Sequence, residues 1–597
     1  MLISFAMSSA ARDVILLWGI QVIVGLAMPQ SLAQAAPRDA TVIFELAKPI
    51  QDLHDFNWFT QGTDREENAK RDDGAQQVMW EPLFILNYET GALDPWLATD
   101  IKRDPNQPAD AVEEKWILTL RPGVEWSDGE AFDADDVVFT ARMAIDDEDL
   151  VAEEASTLRA QVESVEKVDD LTVSFTLRKP NPRFAIENFG GTRFSSFLVM
   201  PEHIWNGEDP SKFAFDPPIG TGPYKFGSIT ADRAIWVRND DWWGKKAGFR
   251  ELPEPAELIW QVVPDEKTSA DLLAKDALDA ARPYTRTTFK AVTGLNKKVI
   301  AWDSKQPDAW RDPCPRQLEI NTTHEPWDKS DMRKAVSLLI DRTDLAASAY
   351  DGGTVPSETM FAQYGAMAPF IDAVKPRYAL PATAVVGAGQ KLLEEAGYSK
   401  GADGIYEKSG TDLTLTISVD AAVPQDVRSV DVLVGQLKAA GIAAAAVPVP
   451  DVAFWPDIVS HGSYEMAYSW LSCGSVVEPW TSMSRYTADK VKPGLNRSPA
   501  YDNTGRWNTV ATAAYSTVVD EIGKLPIGDP AIPDLVAKAY GILDAETPFI
   551  PLVQSATIIP FDTKFWTGWP TAVDNYGAPM HSWSRTHLII HNLKSVK

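Results

Sequence analysis

Leu120-Arg-Pro-Gly-Val-Glu-Trp-Ser-Asp-Gly129, followed at once by Phe132-Asp-Ala-Asp-Asp-Val-Val-Phe-Thr140, is the stretch on which the fold reading turns. Trp126-Ser-Asp-Gly129 is a turn signal, because Gly129 is free to take a positive φ. Asp133 then stands as the N-cap of a helix, with Asp135 and Asp136 in its first turn, where the helix dipole favours anions. Working outward, Leu171-Thr-Val-Ser-Phe-Thr-Leu177 alternates strictly after Asp169-Asp170 and reads as a half-buried strand. Leu413-Thr-Leu-Thr-Ile-Ser-Val419 does the same. Ser330 caps a further helix whose Met332, Val336, Leu339 and Ile340 share one face. Lys391 to Ala396 and Val430 to Ala440 read as helices that stop at Gly397 and Gly441, both suited to left-handed C-caps. Strands and helices interleave along the chain with no repeat of fixed period. That pattern predicts α/β or α+β lobes.

Composition bounds the function classes. The 597 residues carry a net charge of −28, with 45% hydrophobic and 23% charged residues. This is a folded chain. Its charge argues against nucleic acid, which needs a concentrated cationic surface, and against docking on an anionic membrane. Near the N-terminus, Val14 to Ala27 is apolar and uncharged, Arg12 precedes it, and Ala33-Gln34-Ala35 supplies small residues for cleavage. Residues 1–35 therefore read as a signal peptide, too short in its apolar run to span a bilayer comfortably. With no Cys in that region, lipoprotein attachment is not expected. A periplasmic protein starting near Ala36 is. The only two cysteines, Cys314 and Cys473, are read either as one disulfide or as two buried thiols.

The sequence carries no motif of reactive chemistry. Gly220-Thr-Gly222 begins like a dinucleotide loop, but Lys225 and the lack of a following helix pattern make it a turn. No phosphate-cradling loop, His-Glu-x-x-His or Gly-x-Ser-x-Gly elbow is present. His587 and His591 would share a face of a strand with His581 nearby, yet a metal site is not expected there. Paired carboxylates in so acidic a chain carry no weight. Neither an enzyme nor a cofactor is predicted.

Several strings together resemble one family, the extracytoplasmic solute-binding proteins of ABC importers, of the dipeptide/oligopeptide-binding type (family 5). They are Trp80-Glu-Pro-Leu-Phe84, Thr90-Gly-Ala-Leu-Asp-Pro-Trp-Leu-Ala98 and the 120–140 stretch quoted above. Pro201-Glu-His-Ile-Trp205, Ile219-Gly-Thr-Gly-Pro-Tyr-Lys225 and Asn239-Asp-Asp-Trp-Trp-Gly244 follow in the family's order. Ile320-Asn-Thr322, Met332-Arg-Lys-Ala335 with Ile340-Asp-Arg342, and Leu392-Leu-Glu-Glu-Ala-Gly-Tyr398 complete the set. These motifs identify a scaffold; Trp126, Trp242 and Trp243 within them are read as packing residues. The resemblance implies an α/β fold of the periplasmic-binding-protein kind, two lobes with a hinge and an enclosed cleft. Lobe one would take residues 36–300 and return at 565–597, and lobe two residues 301–564. It further implies a monomer that closes on its ligand and delivers it to ABC permease subunits in the inner membrane.

The cargo is read from the lobe-two string Met466-Ala-Tyr-Ser-Trp470 and the Leu471 to Pro479 loop after it. Peptide-binding members place an Asp three residues after the Trp, where it pairs with the peptide's ammonium; here that position is Cys473. Glu478-Pro479 stands where the family has a later acidic-Pro step, so Glu478 is the fallback partner for an amine. The 21 Trp point instead to sugar, since indole faces stack on pyranose C–H faces and need no formal charge. Trp58, Trp455, Trp470 and Trp480 stand in loop-like or strand-end contexts. Phe565-Trp-Thr-Gly-Trp-Pro570 with Asn575-Tyr576 resembles the branch carrying β-linked oligosaccharides. The ligand-binding set read from sequence is therefore Asn57, Trp58, Trp470, Cys473, Glu478 and Trp480, with an oligosaccharide favoured and an oligopeptide or dipeptide the alternative.

Overall fold

The 120–140 stretch folds as its residues dictate. In the computed structural model Gly129 takes φ +102. Asp133 and Asp136 form a capping box on the helix Ala134–Asp146, each side chain accepting from the other's end of the first turn. Trp126 is buried and donates from Nε1 to Asp136 at 3.0 Å. The structure describes residues 36–596 apart from 47, 60–73, 75–76, 108–113, 151, 191–196, 304–308, 312, 493–497, 499–500 and 580–585. The signal peptide expected over 1–35 lies outside the described residues, as does His581.

Two four-stranded sheets build lobe one around one continuous apolar core. In the first, Thr41–Leu46 runs parallel to Glu257–Val262, and Arg233–Arg238 and Tyr224–Thr230 extend the sheet antiparallel. In the second, Ala98–Arg103, Glu114–Leu120, Thr172–Leu177 and Val162–Asp169 are all antiparallel. The alternation of Thr172–Leu177 appears as strictly alternating burial, as a sheet with one covered face requires. The turn at Gly220 and Gly222 lies against the chain at Val78 and Met79. A Cβ at Gly220 would fall 2.2 Å from the Met79 carbonyl oxygen, so only glycine fits.

Lobe two is a five-stranded mixed sheet in the order Ala443–Val449, Thr414–Asp420, Met466–Ser469, Arg316–Ile320, Phe549–Val553. Thr414–Asp420 is parallel to both Ala443–Val449 and Met466–Ser469. The helix joining the first pair, Pro424–Ala440, starts earlier than its apolar pattern suggests because Pro424 opens it, and it ends at Gly441 with φ +103. Ser330 is not an N-cap: it is the first helical residue after Lys329, and no side chain caps that end.

The chain passes between the lobes twice. Val299–Ile300 pairs antiparallel with Phe561–Asp562, and Trp310 and Thr557 exchange backbone hydrogen bonds at 2.8 and 2.9 Å. Two antiparallel passes side by side form a hinge. Beyond them Trp566 donates from Nε1 to the Thr41 carbonyl at 2.8 Å, which fastens the returning chain to the first strand. The fold is α/β, with two lobes.

Candidate ligand-binding cleft

The lobe-one residues expected in the cleft are core residues instead. Asn57 is buried, donates from Nδ2 to the carbonyls of Pro210 and Phe213 at 2.8 and 2.7 Å, and accepts from the Phe59 amide. Trp58 is 1% exposed and meets Trp80 edge-on at 5.8 Å. A four-residue run with three aromatics had more to gain by folding into the lobe than by facing water.

Lobe two presents a different edge. Asp420 ends one strand, Asp451 follows the end of its parallel neighbour, and Trp470 follows the end of the third. These three residues therefore stand at one carboxyl edge of parallel strands, the edge where α/β sheets hold ligands. Trp470 is half-buried, 4.6 Å from Trp455, which in turn meets Tyr501 edge-on at 5.6 Å. The Arg316 guanidinium lies 4.7 Å from the centre of the Trp470 ring and 3.6 Å from Asp426. Burial, with Asp451 and Asp426 adding to it, pushes the Asp420 carboxyl up to about 6. Lys48, from lobe one, reaches Asp451 at 2.5 Å across the boundary.

Tyr501 was missed by sequence reasoning because no periodicity or motif surrounds it. Its signal is conformational. Tyr501, Asn503 and Arg506 all take positive φ, an arrangement that surrounding contacts must impose on residues with a Cβ. Asn503 supplies them, donating from Nδ2 to the carbonyls of Thr487 and Trp507 and accepting from the Trp507 amide at 2.9 Å.

The loop after Trp470 is tied down rather than open. Cys473 forms a disulfide with Cys314, on the hinge pass just before the strand Arg316–Ile320, so of the two cysteine readings the bridge is the observed one. Glu478 is 2% exposed. It accepts from the amides of Trp480 and Thr481 at the start of the helix Trp480–Met483, and it pairs with Arg183 of lobe one at 3.1 Å. It is thus already occupied and does not stand free for an amine. Trp480 lies 5.4 Å from the same guanidinium and packs in the lobe-two core. Of the six residues read from sequence, Trp470 stands at the strand edge with its indole half-buried, Cys473 and Glu478 hold its loop, Trp480 packs at the lobe junction, and Asn57 and Trp58 lie elsewhere.

The lobes also meet at Tyr88 and Tyr364, whose rings are 5.7 Å apart, and at Gly91, where a Cβ would fall 2.9 Å from Val477. No group of three His, Cys, Asp or Glu among the described residues suits a metal ion. His587 and His591 lie on the helix Thr586–Asn592, not on a strand, and both pack against Trp96. Burial, aided by Arg250, pushes His591 down to about 3, so it is neutral.

A family model for bacterial extracellular solute-binding proteins, family 5 (middle), matches residues 92–493. The chain belongs to that family. Family 5 proteins are transport binding proteins, not enzymes. Among curated relatives, the glutathione-binding protein GsiB of Escherichia coli is 24% identical over 480 residues, 76% of this chain and 80% of that protein. A nickel-binding periplasmic protein of Escherichia coli is 26% identical over 58% of this chain and 60% of its own length. A putative binding protein of Brucella melitensis is 32% identical over 139 residues, a match spanning only 21% of that protein. Among solved structures, an oligopeptide-binding protein of Thermotoga maritima superposes with a TM-score of 0.81 at 22% identity, covering 94% of this chain and all of that one. The same protein with mannohexaose bound gives 0.76. These structural likenesses are likenesses of fold. No described helix is long and apolar enough to cross a membrane.

Proposed function

We propose that this family 5 protein is the substrate-capturing component of an ABC importer, working outside the cytoplasm and binding a small oligomeric solute between its lobes. Ligand that touches both lobes stabilises the closed form, and the membrane permease recognises that form. A ligand touching one lobe alone shifts nothing.

For the cargo we propose an uncharged oligosaccharide. The observation that carries this reading is the Trp455, Trp470 and Tyr501 group at the carboxyl edge of the lobe-two strands, beside the Lys48–Asp451 crossing. Aromatic walls suit pyranose rings, and the cations beside them are already paired, Lys48 with Asp451 and Arg316 with Asp426. The position that would hold an ammonium is a disulfide cysteine, and the fallback carboxylate is paired with Arg183. A peptide is the second reading, favoured by one observation: Asp420 and Asp451 stand at the same edge as Trp470. The family's named ligands do not choose, since relatives are named for glutathione, nickel and oligopeptides, and one neighbour holds mannohexaose. Titration of the mature chain with mannohexaose, cellohexaose and tri- to pentapeptides, followed by Trp fluorescence, tests the choice. Saturable binding of a hexaose is expected; binding of peptides alone would replace the reading with the second one.

A further inference from the structure

Arg183 belongs to lobe one, just ahead of the helix Phe184–Phe189, yet its side chain ends inside lobe two. Nη1 donates to the carbonyls of Gly523 and Leu525 at 2.8 and 3.1 Å, at the last turn of the helix Val510–Lys524. Those carbonyls have no partner within their helix and carry the negative end of its dipole. Nη2 meets Glu478 at 3.1 Å, and the guanidinium lies beside the Trp480 ring. Arg183 and Glu478 are 1% and 2% exposed. Three lobe-two groups, the helix-end carbonyls, Glu478 and the Trp480 ring, thus converge on one lobe-one cation. We propose that Arg183 is a positioning residue that latches the two lobes: its insertion holds the closed arrangement, and it withdraws when the lobes part.

The chemistry of the junction supports a latch over passive packing. Both charges are dry where the lobes meet. Removing the cation leaves Glu478 buried and unpaired, which is strongly unfavourable. Parting the lobes rehydrates it at far less cost than unfolding either one. Lobe one also brings Glu187 to this junction, where burial raises its pKa, Glu478 adds to that rise and Arg183 opposes it. Without Arg183, a carboxyl from each lobe would stand near the other with no cation between them. None of these groups is placed in the cleft, so the latch acts through the population of the closed form. Apparent affinity scales with the competent fraction.

The inference rests on hinge closure but not on the identity of the cargo, so its test is run without ligand. Spin labels at two exposed valines, Val168 in lobe one and Val510 in lobe two (59% and 91% exposed), report the interlobe distance by pulsed electron resonance. Relative to the doubly labelled parent, Arg183→Met should shift the distribution to longer distances, with the open fraction up about tenfold. Gly523→Ala is a second, milder probe. Its Cβ would fall 2.7 Å from Nε1 of Trp480 and displace the indole beside which Arg183 rests, while alanine favours the helix itself. It should shift the distribution the same way. The double variant Arg183→Met with Glu478→Met should return towards the parent, because the lone buried charge is gone. Distributions of Gly523→Ala and Arg183→Met that superimpose on the parent's, with native circular dichroism, would overturn the latch. If Arg183→Met does not fold, Gly523→Ala alone decides. Titrating the parent with mannohexaose and tetra-alanine in the same experiment reads ligand-driven closure separately.

Discussion

Phe56-Asn57-Trp58-Phe59 in lobe one and Ser469-Trp470-Leu471 in lobe two both read as exposed aromatics beside a strand or loop, and they end in opposite places. The first seals itself: Asn57 satisfies neighbouring backbone groups, and Trp58 joins the aromatic core beside Trp80. The second stands where a strand stops at a sheet edge, its half-buried ring against Trp455 and Arg316. A tryptophan's role follows from whether backbone continues over it. Residue type does not report that.

The contrast can be broken most forcefully at Trp58. Trp58→Ala should cost about 3–5 kcal/mol of stability, as for a large aromatic removed from a close-packed core. Denaturant unfolding would show it, while ligand affinity of the remaining folded protein stays at the parent value. A Trp58→Ala variant of parent stability that binds poorly would return Trp58 to the cleft. Trp470→Ala should do the reverse. Loss of about 1–3 kcal/mol of stacking, by analogy with bases on aromatic platforms, weakens binding about ten- to hundredfold. Its unfolding midpoint should stay near the parent's.

At Tyr501 the expected effect is smaller. Tyr501→Gly removes the ring and also relieves a φ of +55, so affinity should fall by less than for Trp470→Ala. Stability should be unchanged or gain up to about 1 kcal/mol. Unfolding and titration of one preparation check both halves. Smallest is the pH effect at Asp420. Its carboxyl rises from the ordinary 3.8 to about 6 in the folded chain, so folded protein holds a proton that unfolded protein has released between those values. Stability therefore falls as pH rises through that window, and Asp420→Asn should flatten that part of the profile. An uncharged ligand should bind equally well on both sides of pH 6, whereas a cationic peptide should tighten above it.

Much of the scaffold was legible. The Asp133 cap, the Gly129 turn, the alternation of Thr172–Leu177 and the glycines at 220 and 222 are local features, and local physics decided them. Of the proposed site, Trp470 is the residue that the sequence offered, because its position after a strand end is local. Tyr501 was hidden because its loop is tied back by distant partners, Thr322 donating to the Gly505 carbonyl and the Tyr464 hydroxyl meeting that of Thr504. Glu478 was misread because its partner, Arg183, is nearly three hundred residues away in the chain and on the other lobe. No spacing rule links them.

In the proposed reading the lobe-two aromatic group holds an uncharged oligosaccharide. Calorimetric titration of the parent and of Trp470→Ala with mannohexaose and cellohexaose tests it most directly. The prediction is one site per chain for at least one hexaose, little change in affinity with salt, and a dissociation constant about ten- to hundredfold weaker in the variant. Equal affinity of parent and variant for the same hexaose, or no heat from any hexaose beside tight binding of a peptide, would contradict it.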